Sequence, residues 1–299
     1  MNFKGRIRIL VLVILFVSAV LSSYAAFANE PEELLLVAFL DVGQGDAIYI
    51  KSPSGHDMLI DGGREDGAVL TALGEILPAT DRVIDVVLAT HADADHIGGF
   101  PEILARYNVK SVIVSGNESE TGIWNEFMNG SKNEPGASLV FARKGTIIDL
   151  GEGVSFEVLF PDRNPIEWET NLSSIVGILR YGSTTALLTG DSPDEIEKYL
   201  VEKSGERLNV DILKLGHHGS DTSTSDEILK VTTPAYAIVS AGKGNSYGHP
   251  KVSVIERVLK TGACLLRTDE SKTIIFYSDG LSFKTETLCS SVVGPLEKE

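Results

Sequence analysis

Residues Thr90 to Gly99 read THADADHIGG, which places His91, Asp93, Asp95 and His96 within six positions. On an extended loop alternate side chains leave from the same side. His91, Asp93 and Asp95 therefore share a side, and a turn into a helix brings His96 round to them. Imidazole with carboxylate suits Zn, Mn or Fe, whereas Mg and Ca favour shells made only of oxygen. Four ligands on one turn cannot all share one tetrahedral ion. Two adjacent ions, bridged by water and a carboxylate, fit the crowding, and such a pair activates a nucleophile while clamping a leaving oxygen. The plain alternative is a helix cap formed by Asp95, with the histidines as polar neighbours.

The chain holds only four other histidines: His56, His217, His218 and His249. His56 falls in a Ser-Pro-Ser-Gly hairpin turn and reads as solvated. The others follow predicted strands in the Gly-rich stretches LGHHGS and YGHP. His249 can donate a proton to a leaving group or hold a phosphate. Lys243 and Asn245, on the same loop, can bind an anion. A turn closing before a helix near Pro250 explains His249 equally well. Asp191 ends LLTGD and is either a ligand or the cap of a helix beginning near Pro193. DVGQGD reads as a tight turn in which Gly43 and Gly45 serve the backbone. It is not a phosphate loop, because no Gly-Lys-Ser/Thr follows.

THADADHIGG resembles the signature of the metallo-β-lactamase fold, His-x-His-x-Asp-His, with Asp93 in place of the second histidine. More narrowly, the chain is similar to the stand-alone and C-terminal hydrolase domains of ComEC-type competence proteins, where that position is commonly Asp. LDVGQGDAIYI, LIDGG, LLTGD, VDILKLGHHGS and YGHP follow the same pattern, from about Phe39 to about Asp279. The resemblance implies that Asp61 steadies the metal loop from beneath. It implies that His91 and Asp93 hold one ion, that Asp95 and His96 hold a second, and that Asp191 bridges the two. His217 completes the second ion, with His218 as the alternative. Asp95 and His249 are the expected catalytic residues. Asn171, His218, Lys243 and Asn245 are expected around them or toward the substrate. The usual pattern has a further histidine between the first cluster and Asp191, and this chain has none between His96 and His217. Asn171, Ser173 and Ser174 occupy that region, so the first site is oxygen-rich, which favours Mn over Zn.

These residues need elements that bring them to one place. LLLVAFLDVG reads as a strand, and DAIYIKSPSGHDMLIDGG as a hairpin. Helical spacing runs from Asp66 to Leu77 and stops at Pro78. DVVLAT is a buried strand ending at His91, Pro101 opens a helix through Arg106, and VKSVIVSG is the next strand. One helix is expected near Trp124. A second set follows: SLVFA, VSFEVLF, SSIVGILRYG and TTALLTGD as strands, a helix over Pro193–Glu202, the strand VDILKLG, a helix, AYAIVSAG, a helix and two final strands. Two such halves predict an α/β fold in which two sheets face each other with helices outside, a four-layer αββα sandwich.

The chain has 299 residues, enough for a large core. Residues 1–28 carry Lys4, Arg6 and Arg8, then an apolar run closing on Ala-Phe-Ala. This reads as an export signal cleaved near Asn29, or as an uncleaved membrane anchor. Either places the remainder outside the cytoplasm. Residues 29–33 read as a linker, 34–286 as the hydrolase domain and 287–299 as a tail. The formal net charge is −16, and 1–28 contain no acid, so the remainder is more acidic still. That argues against a general basic groove for nucleic acid, though bound metal can supply local positive charge. Cys264 and Cys289 are free to pair outside the cytoplasm, and the sequence leaves their pairing open. The expectation is an exported hydrolase with up to two divalent ions, Zn or Mn. It would act on DNA or another phosphodiester through a metal-bound hydroxide. A hydrolase of small esters or lactones and a non-catalytic metal-stabilised surface module are the rivals. No protein partner is evident.

Overall fold

A computed structural model describes residues 34–290. The expected export signal or anchor and the linker lie outside the described residues. The first half follows its two-residue period. β1 (Leu35–Phe39) sends Val37 and Phe39 to one face and Ala38 to the other. β2 (Ile48–Lys51) and β3 (Asp57–Ile60) form the expected hairpin. β4 (Val83–Ala89), β5 (Asn108–Val114) and β6 (Ser138–Phe141) continue the sheet in parallel. The second half opens with β7 (Ile147–Asp149), β8 (Val154–Phe160), β9 (Val176–Tyr181) and β10 (Thr184–Leu188), all antiparallel. β11 (Ile212–Lys214), β12 (Tyr236–Val239) and β13 (Cys264–Arg267) then add in parallel.

Three strands, not the two expected, follow the helix Val252–Lys260. β14 (Ile274–Ser278) and β15 (Phe283–Lys284) cross back to the first sheet, where β14 pairs antiparallel with β1. The sheets therefore run β15-β14-β1-β2-β3-β4-β5-β6 and β13-β12-β11-β10-β9-β8-β7. Between them Phe39, Ile50, Met58, Phe156, Leu179, Ile238 and Phe276 form one core. Leu73, Phe100 and Phe127 cover the outer face of the first sheet, and Ile196, Leu200, Val254 and Val258 that of the second. The architecture is the four-layer αββα sandwich.

The domain also extends beyond the expected boundary at 286. Cys264 and Cys289 form a disulfide, and the Ser290 amide donates to the Leu265 carbonyl at 2.7 Å. The bridge ties the start of the expected tail to β13, so the folded chain reaches at least residue 290.

Position follows from topology. Asp61 follows β3, Thr90-His91 follow β4, Asp191 follows β10, His217-His218 follow β11 and His249 lies on the loop after β12. Each stands beyond the carboxyl end of a strand that pairs in parallel, which is where open α/β sheets place ligands.

Candidate metal centre

Asp61 lies beneath the metal loop. Its Oδ1 accepts the Thr90 amide at 2.8 Å, and its Oδ2 accepts the Thr90 hydroxyl and His96 Nδ1, both at 2.7 Å. With Nδ1 thus engaged, His96 turns Nε2 toward Asp191 Oδ2 at 3.3 Å. His218 is held in the same way from the opposite sheet. Its Nδ1 donates to the Ser240 carbonyl at 3.0 Å and lies 3.3 Å from Asp46 Oδ1. Its Nε2 faces Asp191 Oδ2 at 3.4 Å and Asp95 Oδ2 at 3.5 Å. His91 receives its orientation from Thr90 Oγ1 at 3.0 Å from Nδ1, and its Nε2 lies 3.6 Å from Asp93 Oδ2.

The Nε2 atoms of His91, His96 and His218 and the Oδ1 of Asp191 are buried without a hydrogen-bond partner. Buried polar atoms left unpaired cost free energy, and three imidazoles aimed at carboxylates with their other nitrogens occupied form a set of lone pairs suited to a cation. Nitrogen and oxygen donors without sulfur suit the divalent ions expected from the sequence. Asp46, His96, Asp191 and His218 make a compact buried group of potential ligands. Within it Asp46 stands on the Nδ1 side of His218 and 2.5 Å from Lys214 Nζ, so it orients the ring rather than facing the common centre. The inner edge of the site is Asp95, His96, Asp191 and His218, with His91 and Asp93 beside it.

Electrostatics match this. Burial opposes charge on His96, but Asp191 and Asp61 outweigh it and raise the imidazole well above its ordinary value. Burial likewise opposes charge on His218, and Asp191 and Asp46 raise it to about 9. Burial works against ionised Asp191 too, yet His218 and His96 hold that carboxyl far below the usual range. Asp95 is lowered in the same manner, burial being overcome by His218 and His96. The centre is thus a cluster of carboxylates whose balancing positive charge sits on protons that a metal ion would replace.

Several expectations change. His218, not His217, joins the buried group, because the turn Gly216–Gly219 holds both histidines at positive φ and sends His218 inward. His217 stays partly exposed, with Nε2 3.8 Å from Asp191 Oδ2. Asp95 does not cap a helix: the cap position of Ala94–Ile97 is Asp93, and no side chain caps it. Asp191 does not cap either, since Pro193 occupies that place for Asp194–Ser204. Asn245 is not available to substrate. Its Nδ2 donates to the Gly242 and His249 carbonyls and its Oδ1 accepts the His249 amide, so it staples its own loop. Lys243 is exposed on that loop. His249 stacks on Tyr247 and lies 5.6 Å from His217. Burial, then His217, lowers it to about 4. The shift favours the neutral imidazole at pH 7, which suits a hydrogen bond to an anion better than the proton donation expected from the sequence. Asn171 begins a short turn beside the first ligands, with Oδ1 buried and unpartnered. The letters Gly-x-Ser-x-Gly occur once, at Gly244–Gly248, but Ser246 is exposed on an irregular loop and forms no strand-to-helix elbow.

Sequence reasoning missed Asp46 and Lys214. Both left a trace: Lys214 closes the otherwise apolar β11, and Asp46 stands two residues before the buried strand β2. A lysine at a buried strand position requires a carboxylate partner.

The model of the metallo-beta-lactamase superfamily matches residues 40–243. The chain belongs to this superfamily. ComE operon protein 3 of Bacillus subtilis (strain 168) is 32% identical over 269 residues, which cover 84% of this chain and 33% of that protein. Competence protein ComA of Neisseria gonorrhoeae is 30% identical over 261 residues, covering 86% of this chain and 34% of that protein. The chain spans about a third of the length of these relatives. Among solved structures, the metallo-beta-lactamase fold protein YhfI from Bacillus subtilis superposes with a TM-score of 0.55 at 14% identity, over 82% of this chain and 100% of that one. CmlA, a diiron beta-hydroxylase from Streptomyces venezuelae, gives 0.54 at 18% identity, over 83% of this chain and 55% of that one. At these identities the two structures establish the fold alone. Superfamily membership together with the buried donor group supports a metal-dependent hydrolase.

Proposed function

We propose that this metal-dependent hydrolase cleaves phosphodiesters, with DNA as the substrate, outside the cytoplasm. The observation that carries the chemistry is the convergence of His96 and His218 Nε2 on Asp191 Oδ2 with Asp95 alongside, at the strand-end rim. Asp95, His96, Asp191 and His218 would hold divalent ions there, which would supply a Lewis acid and make water more acidic, to a pKa of about 7. The chain's own part is orientation. Asp61 and Asp46 fix the ring planes of His96 and His218 from behind, and Asp191 holds the two histidine-bearing loops at one spacing. His249, neutral and beside His217, donates a hydrogen bond to a phosphate oxygen rather than a proton to the leaving group. The likeness to competence proteins supports DNA as the substrate in this reading. The Cys264–Cys289 bridge favours an oxidising compartment, in line with the basic and apolar N-terminus.

Metal analysis of the purified chain, followed by incubation with single- and double-stranded DNA and Mn or Zn, tests the reading. Expected are bound divalent metal and strand cleavage that chelator abolishes. Turnover of esters or lactones with intact DNA would replace the phosphodiester reading with the small-ester one. Metal content with no turnover of any of these would leave a binding module. N-terminal sequencing of the mature protein should begin near Asn29, and a full-length cytoplasmic product would exclude export.

A further inference from the structure

A cavity of about 400 Å³, lined by residues of the segment that carries Asn171 and of the helix that follows Asp191, is not used by the hydrolytic chemistry. Its walls are Phe160, Trp168, Leu172, Ile196 and Tyr199. Phe160 stands 5.9 Å from Trp168 and 5.5 Å from Tyr199 between ring centres, and the Arg163 guanidinium lies 4.9 Å over the Trp168 ring. Two exposed carboxylates, Asp162 and Glu195, also line it. The cavity is built rather than incidental. Buried Asn117 donates through Nδ2 to the carbonyls of Pro165 and Trp168 at 3.0 and 2.7 Å, which fixes the loop carrying the indole. Tyr199 donates to Asp162 Oδ2 at 3.0 Å, which fixes the opposite wall.

Its position links it to the ligands on both sides. Leu172 adjoins Asn171, and just beyond it the Ser174 hydroxyl accepts the Asp191 amide at 3.3 Å while the Ile175 amide donates to the Thr90 carbonyl at 2.9 Å. The helix Asp194–Ser204, which supplies Glu195, Ile196 and Tyr199, begins directly after the Asp191 loop.

We propose that this cavity receives an unpaired nucleobase of the strand whose phosphodiester lies at the metal centre, an inference that rests on the phosphodiesterase reading above. Flat aromatic walls with a guanidinium over one ring favour a planar, uncharged π-system, and any base offers one. The volume falls within the roughly 300–1,000 Å³ of small-molecule sites. Of the two lining carboxylates, Asp162 is engaged by Tyr199 and Arg163, and Glu195 is open to accept hydrogen bonds from ring N–H and exocyclic amino groups. Both also repel phosphate, so the charged backbone stays at the metal while the neutral base enters. A paired base cannot enter without leaving its duplex, so the cavity selects single-stranded or frayed substrate.

Two measurements on the full chain test this. The sequence has two tryptophans, so Trp124→Phe leaves Trp168 as the sole indole reporter. Titration with deoxyadenosine, which carries no phosphate, should quench its fluorescence saturably, and Tyr199→Ala should weaken that quench. With the Mn-loaded chain, single-stranded oligonucleotides are compared with and without an abasic residue beside the scissile position. Stacking contributes about 1–3 kcal/mol per base, so removing the base or substituting Trp168→Ala should each lower kcat/KM about 5- to 150-fold. Combining the two should cost little more than either alone. A linear, non-saturating titration together with fully multiplicative losses would overturn the inference. If no phosphodiester is cleaved, the functional reading fails and the deoxyadenosine titration alone decides whether the cavity binds a base.

Discussion

Asp191 Oδ2 stands within 3.8 Å of one imidazole nitrogen from each of His96, His217 and His218. The three do not count equally. His96 and His218 are buried with Nδ1 engaged from behind, so losing either ring removes a pre-oriented donor, whereas His217 is partly exposed and bonds only Thr222 Oγ1 through Nδ1. His218→Ala should therefore lose most of the bound metal, and His217→Ala should retain most of it, as read by metal analysis on variants with native circular dichroism. The reverse order would restore His217 as the inner ligand. His249 gives a second residue-scale expectation. A general acid typically accounts for 10²–10⁴-fold in rate, but a neutral imidazole contributes one hydrogen bond of roughly 1 kcal/mol, or about fivefold. His249→Ala should cost about that much, equally on nitrophenyl and alkyl phosphodiesters. A far larger loss confined to the poor leaving group would return the proton to His249.

At the scale of elements, the site depends on loops from two sheets meeting at contact distance. Gly242, after β12, shows how tightly the two sets meet, since a Cβ there would lie 2.7 Å from the Gln44 amide nitrogen. Within the first sheet's own loops Gly45 is tighter still, for a Cβ there would lie 2.2 Å from the Asp95 carbonyl oxygen, and its φ is +132°. The Asp46 amide donates to that same oxygen at 3.2 Å, so the glycine turn and the metal loop are hydrogen-bonded neighbours. Gly45→Ala should cost about 1–3 kcal/mol and lower metal content, because either Asp46 or Asp95 must move. Gly43 is the control, since it also has positive φ but nothing within 4 Å of its Cβ position. Gly43→Ala should lower the urea midpoint modestly and leave metal content alone. Equal metal loss in both variants would mean that backbone strain, not the contact, governs the site. The same scale shows what the sequence made legible. β1 and β4 are short, nearly continuous apolar runs, β8 alternates over its first half, and Pro78, Pro101 and Pro193 punctuate their helices, so the sandwich and its loop order were readable from apolar runs and turn chemistry. β7 was missed because three residues with an exposed Ile147 carry no period. The choice between His217 and His218 was unreadable because consecutive left-handed residues follow neither the helix nor the strand period. Asp46 was overlooked because its partner Lys214 lies in the other sheet, and pattern along a single strand cannot reveal a pair made across the interior.

For the molecule as a whole, the centre makes stability depend on pH and metal together. A histidine held above its unfolded pKa of about 6.5 stabilises the fold while protonated. That contribution is complete below about pH 6.5 and disappears as pH rises through the folded value, about 9 for His218, with His96 also raised. The lowered carboxyls act in the opposite direction. Asp46, brought to about 2 by Lys214 and His218 against the effect of burial, stabilises above its unfolded value of about 4 and loses that effect only in strong acid. The metal-free chain should therefore lose thermal stability progressively between about pH 6.5 and 9, a window in which the carboxyls do not titrate. A divalent ion displaces those protons and supplies the charge at every pH in the window, so the loaded chain should show a nearly constant Tm there. Binding at pH 7 should also release protons, about two when His96 and His218 both ligate, and fewer as pH approaches 9. Thermal scans with chelator and with Zn, and calorimetry in two buffers of different ionisation enthalpy, measure both quantities. A metal-free Tm that stays level from pH 6.5 to 9, with no proton release on binding, would mean that the buried carboxylates are balanced by some charge other than these two imidazoles.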